Sequence, residues 1–170
     1  MHEVYIAILL QTIKEQYTSE KTFYENVLNS DEITWEQWKS GSGTLLPEQN
    51  QKIKNLFSDY EWMLMQKVLR QTIIFPEKRT QAVSEYRRLK TKIAQKWLQK
   101  KLADVEVVQH AEADRNNQLL DLRVFITYDE WGFDDILSFR LPARIQQQLQ
   151  QEKVGLLAWV SENLEETYNQ

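Results

Sequence analysis

The chain of 170 residues has no cysteine, two histidines, three prolines and four glycines. Without cysteine there is no disulfide, no thiolate metal site and no thiol nucleophile, and a reducing cytoplasm is the expected setting. His2 lies at the terminus and His110 at the end of a predicted strand, so histidine-based metal binding or triad catalysis lacks its side chains. The one glycine-rich stretch, Gly41-Ser42-Gly43, has neither the following lysine nor the preceding strand of a phosphate loop. The apolar run Val4–Leu10 follows Glu3 and is too short to span a bilayer, and it lacks the flanks of a signal peptide. No constellation supports an enzyme, a metal site or a cofactor, and no membrane association is expected.

Against these absences stand a hydrophobic content of 42% and six tryptophans, which favour packed cores over disorder. Charge is distributed unevenly. Residues 1–65 carry 5 Lys and Arg against 10 Asp and Glu, net −5; residues 66–101 carry 11 against 2, net +9; residues 102–170 carry 5 against 13, net −8. The cationic block centres on Pro76–Leu102, where Val83, Tyr86, Leu89, Ile93, Trp97 and Leu102 recur mostly at steps of three or four. That spacing predicts one long amphipathic helix, opened by Pro76 in its first turn. Arg79, Arg87, Arg88, Lys90, Lys92, Lys96, Lys100 and Lys101 flank its apolar stripe. Either this helix complements its acidic neighbours, or it meets an anionic partner.

Before the basic block, five helices are expected. The first runs over Glu3–Gln16, and Thr18 or Ser19 caps a second that stops at Asn29. Ser30 or Asp31 caps a third, containing Ile33, Trp35 and Trp38 and ending at Gly41. Pro47 opens a fourth, and Asp59–Phe75 forms a fifth, with Trp62, Met65, Leu69 and Ile73 inward. Trp35 and Trp38, three apart on one helix, are expected in the core.

After Lys101 the period changes to two. Strands are expected over Val105–His110, Leu119–Tyr128 and Asp134–Leu141, the last two forming a hairpin across Asp129–Phe133. Ala111–Gln118 is read as a turn. A terminal helix follows Pro142, with Ile145, Leu149, Leu156, Leu157, Val160 and Leu164 inward and Gly155 as a break. Asp129, Glu130, Asp134 and Asp135 read as a solvated acidic turn rather than a calcium loop. Trp131 and Phe133 are either tucked beneath the terminal helix or exposed as a contact patch, and tucked is the default. The resulting layout is a helical domain over 1–75, a basic helix over 76–102, and a small α+β domain over 103–170.

The order of landmarks in Thr18–Phe57 resembles the helix-turn-helix of Cro and lambda-repressor-type (Xre-like) regulators. A helix is followed by a turn residue at Asn29, a short helix holding Trp38, then Gly41, Pro47 and an apolar helix ending in Leu56-Phe57. The family has glycine where Asn29 stands, and a small residue where this chain has Tyr24 or Glu25. The resemblance implies that Asp31–Ser40 is a recognition helix entering the major groove. Glu32, Ile33, Thr34, Gln37 and Lys39 would then face the DNA, and the backbone near Ser19 and Glu20 would seat a phosphate. Asp31, Glu32 and Glu36 leave that surface short of cations, so Arg87, Arg88, Lys92 and Lys96 would supply the phosphate contacts. The implied function is a homodimeric, DNA-binding transcriptional regulator acting on double-stranded DNA, with a C-terminal domain for sensing or self-association. The alternative is a protein–protein adaptor that keeps the fold and does not bind DNA.

Overall fold

A computed structural model of the chain describes residues 2–109, 119–142, 145 and 155–169. The expected turn at Ala111–Gln118, His110, and the helical stretch expected over 146–154 lie outside the described residues. By its contacts the chain divides into two compact units: residues 1–58 with 62–86, and residues 59–61 with 87–170. The expected 76–102 segment thus contributes to both.

The first unit is helical. Its elements are α1 (His2–Gln16), α2 (Glu20–Asn26), α3 (Glu32–Lys39), α4 (Pro47–Lys54) and α5 (Asp59–Ile74), of which α5 begins with the three residues that belong to the second unit. The caps are those the sequence offers. The Ser19 side chain accepts the Thr22 N–H, and Asp31 accepts the Thr34 N–H, each satisfying a donor left open at a helix start. Asn29 takes φ 50° in the turn after α2, the conformation that asparagine tolerates better than most residues. Gly41 (φ 81°) ends α3, and Gly43 passes so close that a Cβ there would sit 2.9 Å from the Gln37 Cβ. The Gln37 carbonyl accepts the N–H groups of both Ser42 (2.9 Å) and Gly43 (3.0 Å), tying that loop to α3.

Val4, Ile8, Leu9, Ile13, Phe23, Leu28, Trp35, Ile53, Leu64, Met65, Val68 and Leu69 form the buried interior of this unit. Trp35 is fully enclosed, tilted against Tyr24 (6.0 Å between ring centres) and edge-on to Phe23 (5.9 Å). Tyr24 is itself buried and packs on Trp35. Trp38 departs from expectation: it is only half-buried, stacked on Trp35 at 5.2 Å and edge-on to Tyr5. Ile73 departs further and is exposed, because α5 turns Leu64, Val68 and Thr72 inward instead. Burial pushes the Tyr5 phenol up to about 12.

The expected long helix begins later than predicted. Pro76–Gln81 forms a 3-10 segment, and the α-helix proper, α6, runs over Ala82–Gln99. The residue before a proline is held out of the helical region, and Phe75 sits at φ −125°, ψ 83°.

In the second unit β1 (Asp104–Gln109), β2 (Leu119–Thr127) and β3 (Asp134–Pro142) form an antiparallel sheet in the order β1-β2-β3. Leu120, Leu122 and Val124 on β2 and Leu137, Phe139 and Leu141 on β3 share the buried face, as strict alternation requires. Leu122 pairs with Phe139, and Val124 with Leu137. The helix α7 (Leu156–Tyr168) contributes Val160, Leu164 and Tyr168 to the same core, and α6 contributes Ala94. Gly155 stands at the N-cap of α7, where the sequence placed a break. Among the described residues, no helix is long and apolar enough to cross a membrane. The fold is thus mainly helical, with a small three-stranded sheet and a terminal helix.

Candidate nucleic-acid interface

The nine residues expected to contact DNA lie on two helices, five on α3 in the first unit and four on the part of α6 that belongs to the second. On α3, Glu32, Ile33 and Gln37 are exposed, with Ile33 showing 70% of its surface. Thr34 is committed elsewhere. Its N–H (2.7 Å) and its hydroxyl (3.2 Å) both donate to the Asp31 carboxylate. Those bonds hold the Asp31 carboxyl below the ordinary aspartate range, the backbone bond from Thr34 first.

Lys39 is the only cation on α3, and it is engaged. Its ammonium lies 2.8 Å from Glu20 and 2.7 Å from Glu36, and 5.8 Å above the Trp35 ring. Partial burial lowers the Lys39 pKa, but the bonds to Glu20 and Glu36 outweigh it and hold the group above the usual lysine value. Glu20 also takes the Trp35 Nε1–H at 2.9 Å. Burial raises the Glu20 pKa, and the donors Lys39 and Trp35 more than reverse this, leaving it below the usual glutamate value. The α2 start, expected to seat a phosphate, therefore has a carboxylate as its first residue. What α3 presents to solvent is Glu32, Ile33, Glu36 and Gln37, an acidic strip with one apolar centre. Comparison with protein families, with curated proteins and with solved structures finds no match. Function has to be read from the residues.

On α6 the basic residues divide. Lys92 and Lys96 are exposed, as expected of phosphate contacts. Arg87 is half-buried, donates to the Tyr168 backbone carbonyl and lies 4.1 Å from the centre of the Tyr168 ring. Arg88 is also half-buried. Lys90 is a core residue: its ammonium meets Glu61 at 2.9 Å, with the side chains 4% and 7% exposed. It also donates to the Ser138 carbonyl (2.6 Å) and the Tyr168 hydroxyl (3.3 Å), while the Ser138 N–H donates to Glu61 (3.3 Å).

Sequence reasoning missed Glu20 and Glu61 as partners of these lysines. Nothing local links Glu20 to Lys39, nineteen positions on. For Lys90 a signal did exist: it stands four residues after Tyr86 and four before Ala94, both buried, in line with the inward face. Among the described residues, no three His, Asp or Glu side chains gather as metal ligands would.

Proposed function

We propose that this chain is a protein–protein adaptor, working in a reducing cytoplasm, whose helix-turn-helix-like region docks a partner through its acidic surface and does not read DNA. The observation that carries this reading is the engagement of Lys39. A recognition helix draws affinity from phosphate neutralisation, and here the one cation of α3 is neutralised by Glu20 and Glu36. Glu32 and Glu36 flank the exposed Ile33, a combination that repels phosphate and suits a partner carrying both apolar and basic groups. Of the four α6 residues, Arg87 already serves Tyr168 within its own unit, which reduces what is left for a DNA backbone.

The test is a fluorescence-anisotropy titration of labelled random duplex DNA at low salt. The adaptor reading expects no saturable binding. Saturable binding whose log–log salt slope drops by about 0.9 for each of Lys92→Gln and Lys96→Gln would restore the DNA reading.

A further inference from the structure

The β2–β3 turn holds its side chains away from the sheet. Asp129 (φ 56°), Trp131 (φ 50°) and Gly132 (φ 74°) all adopt left-handed backbone. The Phe133 N–H closes on the Glu130 carbonyl at 2.8 Å, and the Asp134 N–H on the Gly132 carbonyl at 2.9 Å. The aromatics expected to tuck inward do not. Tyr128 is 51% exposed, Phe133 67% and Trp131 98%. One large apolar side chain in solvent is ordinary, whereas three within six residues at one tip form a patch. Each leaves unrealised part of the gain that burying such a side chain brings. Tryptophan in particular dominates the centres of protein interfaces.

The surroundings say what can cover the patch. Residues 128–135 include Asp129, Glu130, Asp134 and Asp135 and no Lys, Arg or His. The Tyr128 hydroxyl donates to Asp135 at 2.8 Å, which fixes that ring beside the carboxylates. Nucleic-acid phosphates and anionic lipid headgroups would be repelled by four carboxylates. A wholly apolar partner would strip water from those carboxylates and return nothing. A segment rich in Lys and Arg meets both demands. Its charges neutralise the carboxylates, its aliphatic stems cover Trp131 and Phe133, and a cation can lie over the indole face.

We infer that the 128–135 hairpin tip is a docking site for a Lys/Arg-rich segment of a partner protein, with Trp131 as its anchor. Its residues belong to the second compact unit, and α3 to the first. The test uses the full chain and a short fluorescein-labelled peptide in which Arg, Lys and Leu alternate, beside a counterpart with Glu for every Arg and Lys. The basic peptide should bind, and the acidic one should not. Trp131→Ala should weaken binding about 30-fold, the loss typical of an interface anchor. Trp131→Phe should retain most of the affinity, and Asp129→Asn with Glu130→Gln should flatten its salt dependence. Thermal melting should be unchanged in all these variants, because the Trp131 side chain buries almost nothing. Absence of basic-peptide binding, equal binding of both peptides, or undiminished binding by Trp131→Ala would overturn the assignment. A duplex titration that restored the DNA reading of α3 would leave each of these outcomes as it stands.

Discussion

Lys39 in the helical unit and Lys90 in the sheet unit are both held by a carboxylate at hydrogen-bond distance, 2.8 Å from Glu20 and 2.9 Å from Glu61. Their surroundings differ. Glu20 keeps 39% of its side chain in water, whereas Glu61 keeps 7% and Lys90 4%. Around Lys39 solvent screens the pair, so the contact mainly cancels charge that a partner would otherwise see. Around Lys90 there is little solvent, so the ammonium has to be satisfied internally. Glu61, the Ser138 carbonyl and the Tyr168 hydroxyl take its three N–H donors, with the Phe139 and Tyr168 rings 5.0 and 5.2 Å away. The same pairing is thus a surface property in one unit and a structural one in the other.

The largest test of that contrast is at Lys90. Lys90→Met should cost about 3–5 kcal/mol, because it leaves the Glu61 carboxylate buried without its countercharge. Adding Glu61→Gln should recover part of the loss. The amide still accepts the Ser138 N–H and carries no charge, but the Ser138 carbonyl loses the Lys90 ammonium, and an unsatisfied buried acceptor costs about 1–3 kcal/mol. Urea unfolding of the two variants and of Glu61→Gln alone closes the cycle. A single Lys90→Met variant as stable as the parent would place this lysine in solvent.

A smaller effect is expected at Lys39. Lys39→Met keeps an aliphatic chain against Trp35 and removes a partly solvated pair, so stability should change by no more than about 1 kcal/mol. The same substitution makes the α3 surface more acidic. The adaptor reading expects no saturable duplex binding by the parent at low salt, and the more acidic Lys39→Met variant should show none either. Unfolding that fell as far as in Lys90→Met would erase the distinction between the two lysines.

These two lysines also mark where the sequence could be read and where it could not. Caps and breakers set the helix bounds: Ser19, Asp31, Pro47 and Gly41 each act within a few residues of where they stand, so α2, α3 and α4 were legible. Alternation set β2 and β3 for the same reason. Lys90 was misplaced because a charge in a one-dimensional pattern reads as a solvent marker, and its countercharge lies twenty-nine residues earlier, on α5. Trp131 was misplaced for the opposite reason. Hydrophobicity predicts burial, yet a six-residue hairpin connection with positive φ at Asp129, Trp131 and Gly132 offers no core to enter. At the candidate site, residue types were legible and their engagements were not: Thr34 was placed on the right helix, and its bonds to Asp31 depend on a cap geometry that leaves the hydroxyl no freedom.

The smallest expected effect is in the acid limb of stability, where the carboxylates at the starts of α2 and α3 should show themselves. Asp31 and Glu20 both have carboxyls held below their ordinary range, Asp31 chiefly by the Thr34 backbone N–H, and Glu20 by Lys39 and Trp35 acting against burial. A carboxyl whose folded pKa is depressed contributes stability that is fully present above its unfolded value. That contribution is lost as pH falls from there through the folded value. The window therefore opens near the ordinary carboxylate range of about 4 and extends below it. Asp31→Asn separates hydrogen bonding from charge. Asparagine caps a helix about as well as aspartate, so melting near neutral pH should barely change. The variant should nonetheless lose the Asp31 share of the acid slope, so that its melting temperature, equal to the parent's near neutral pH, falls less than the parent's as pH is lowered. Glu20→Gln can still accept the Trp35 Nε1–H but gives up the Lys39 ion pair, so it should start slightly below the parent near neutral pH and close that gap as pH is lowered. Melting temperatures of parent and variants across the acid range decide it. An Asp31→Asn curve that runs parallel to the parent throughout would mean the cap carries no charge-dependent stabilisation.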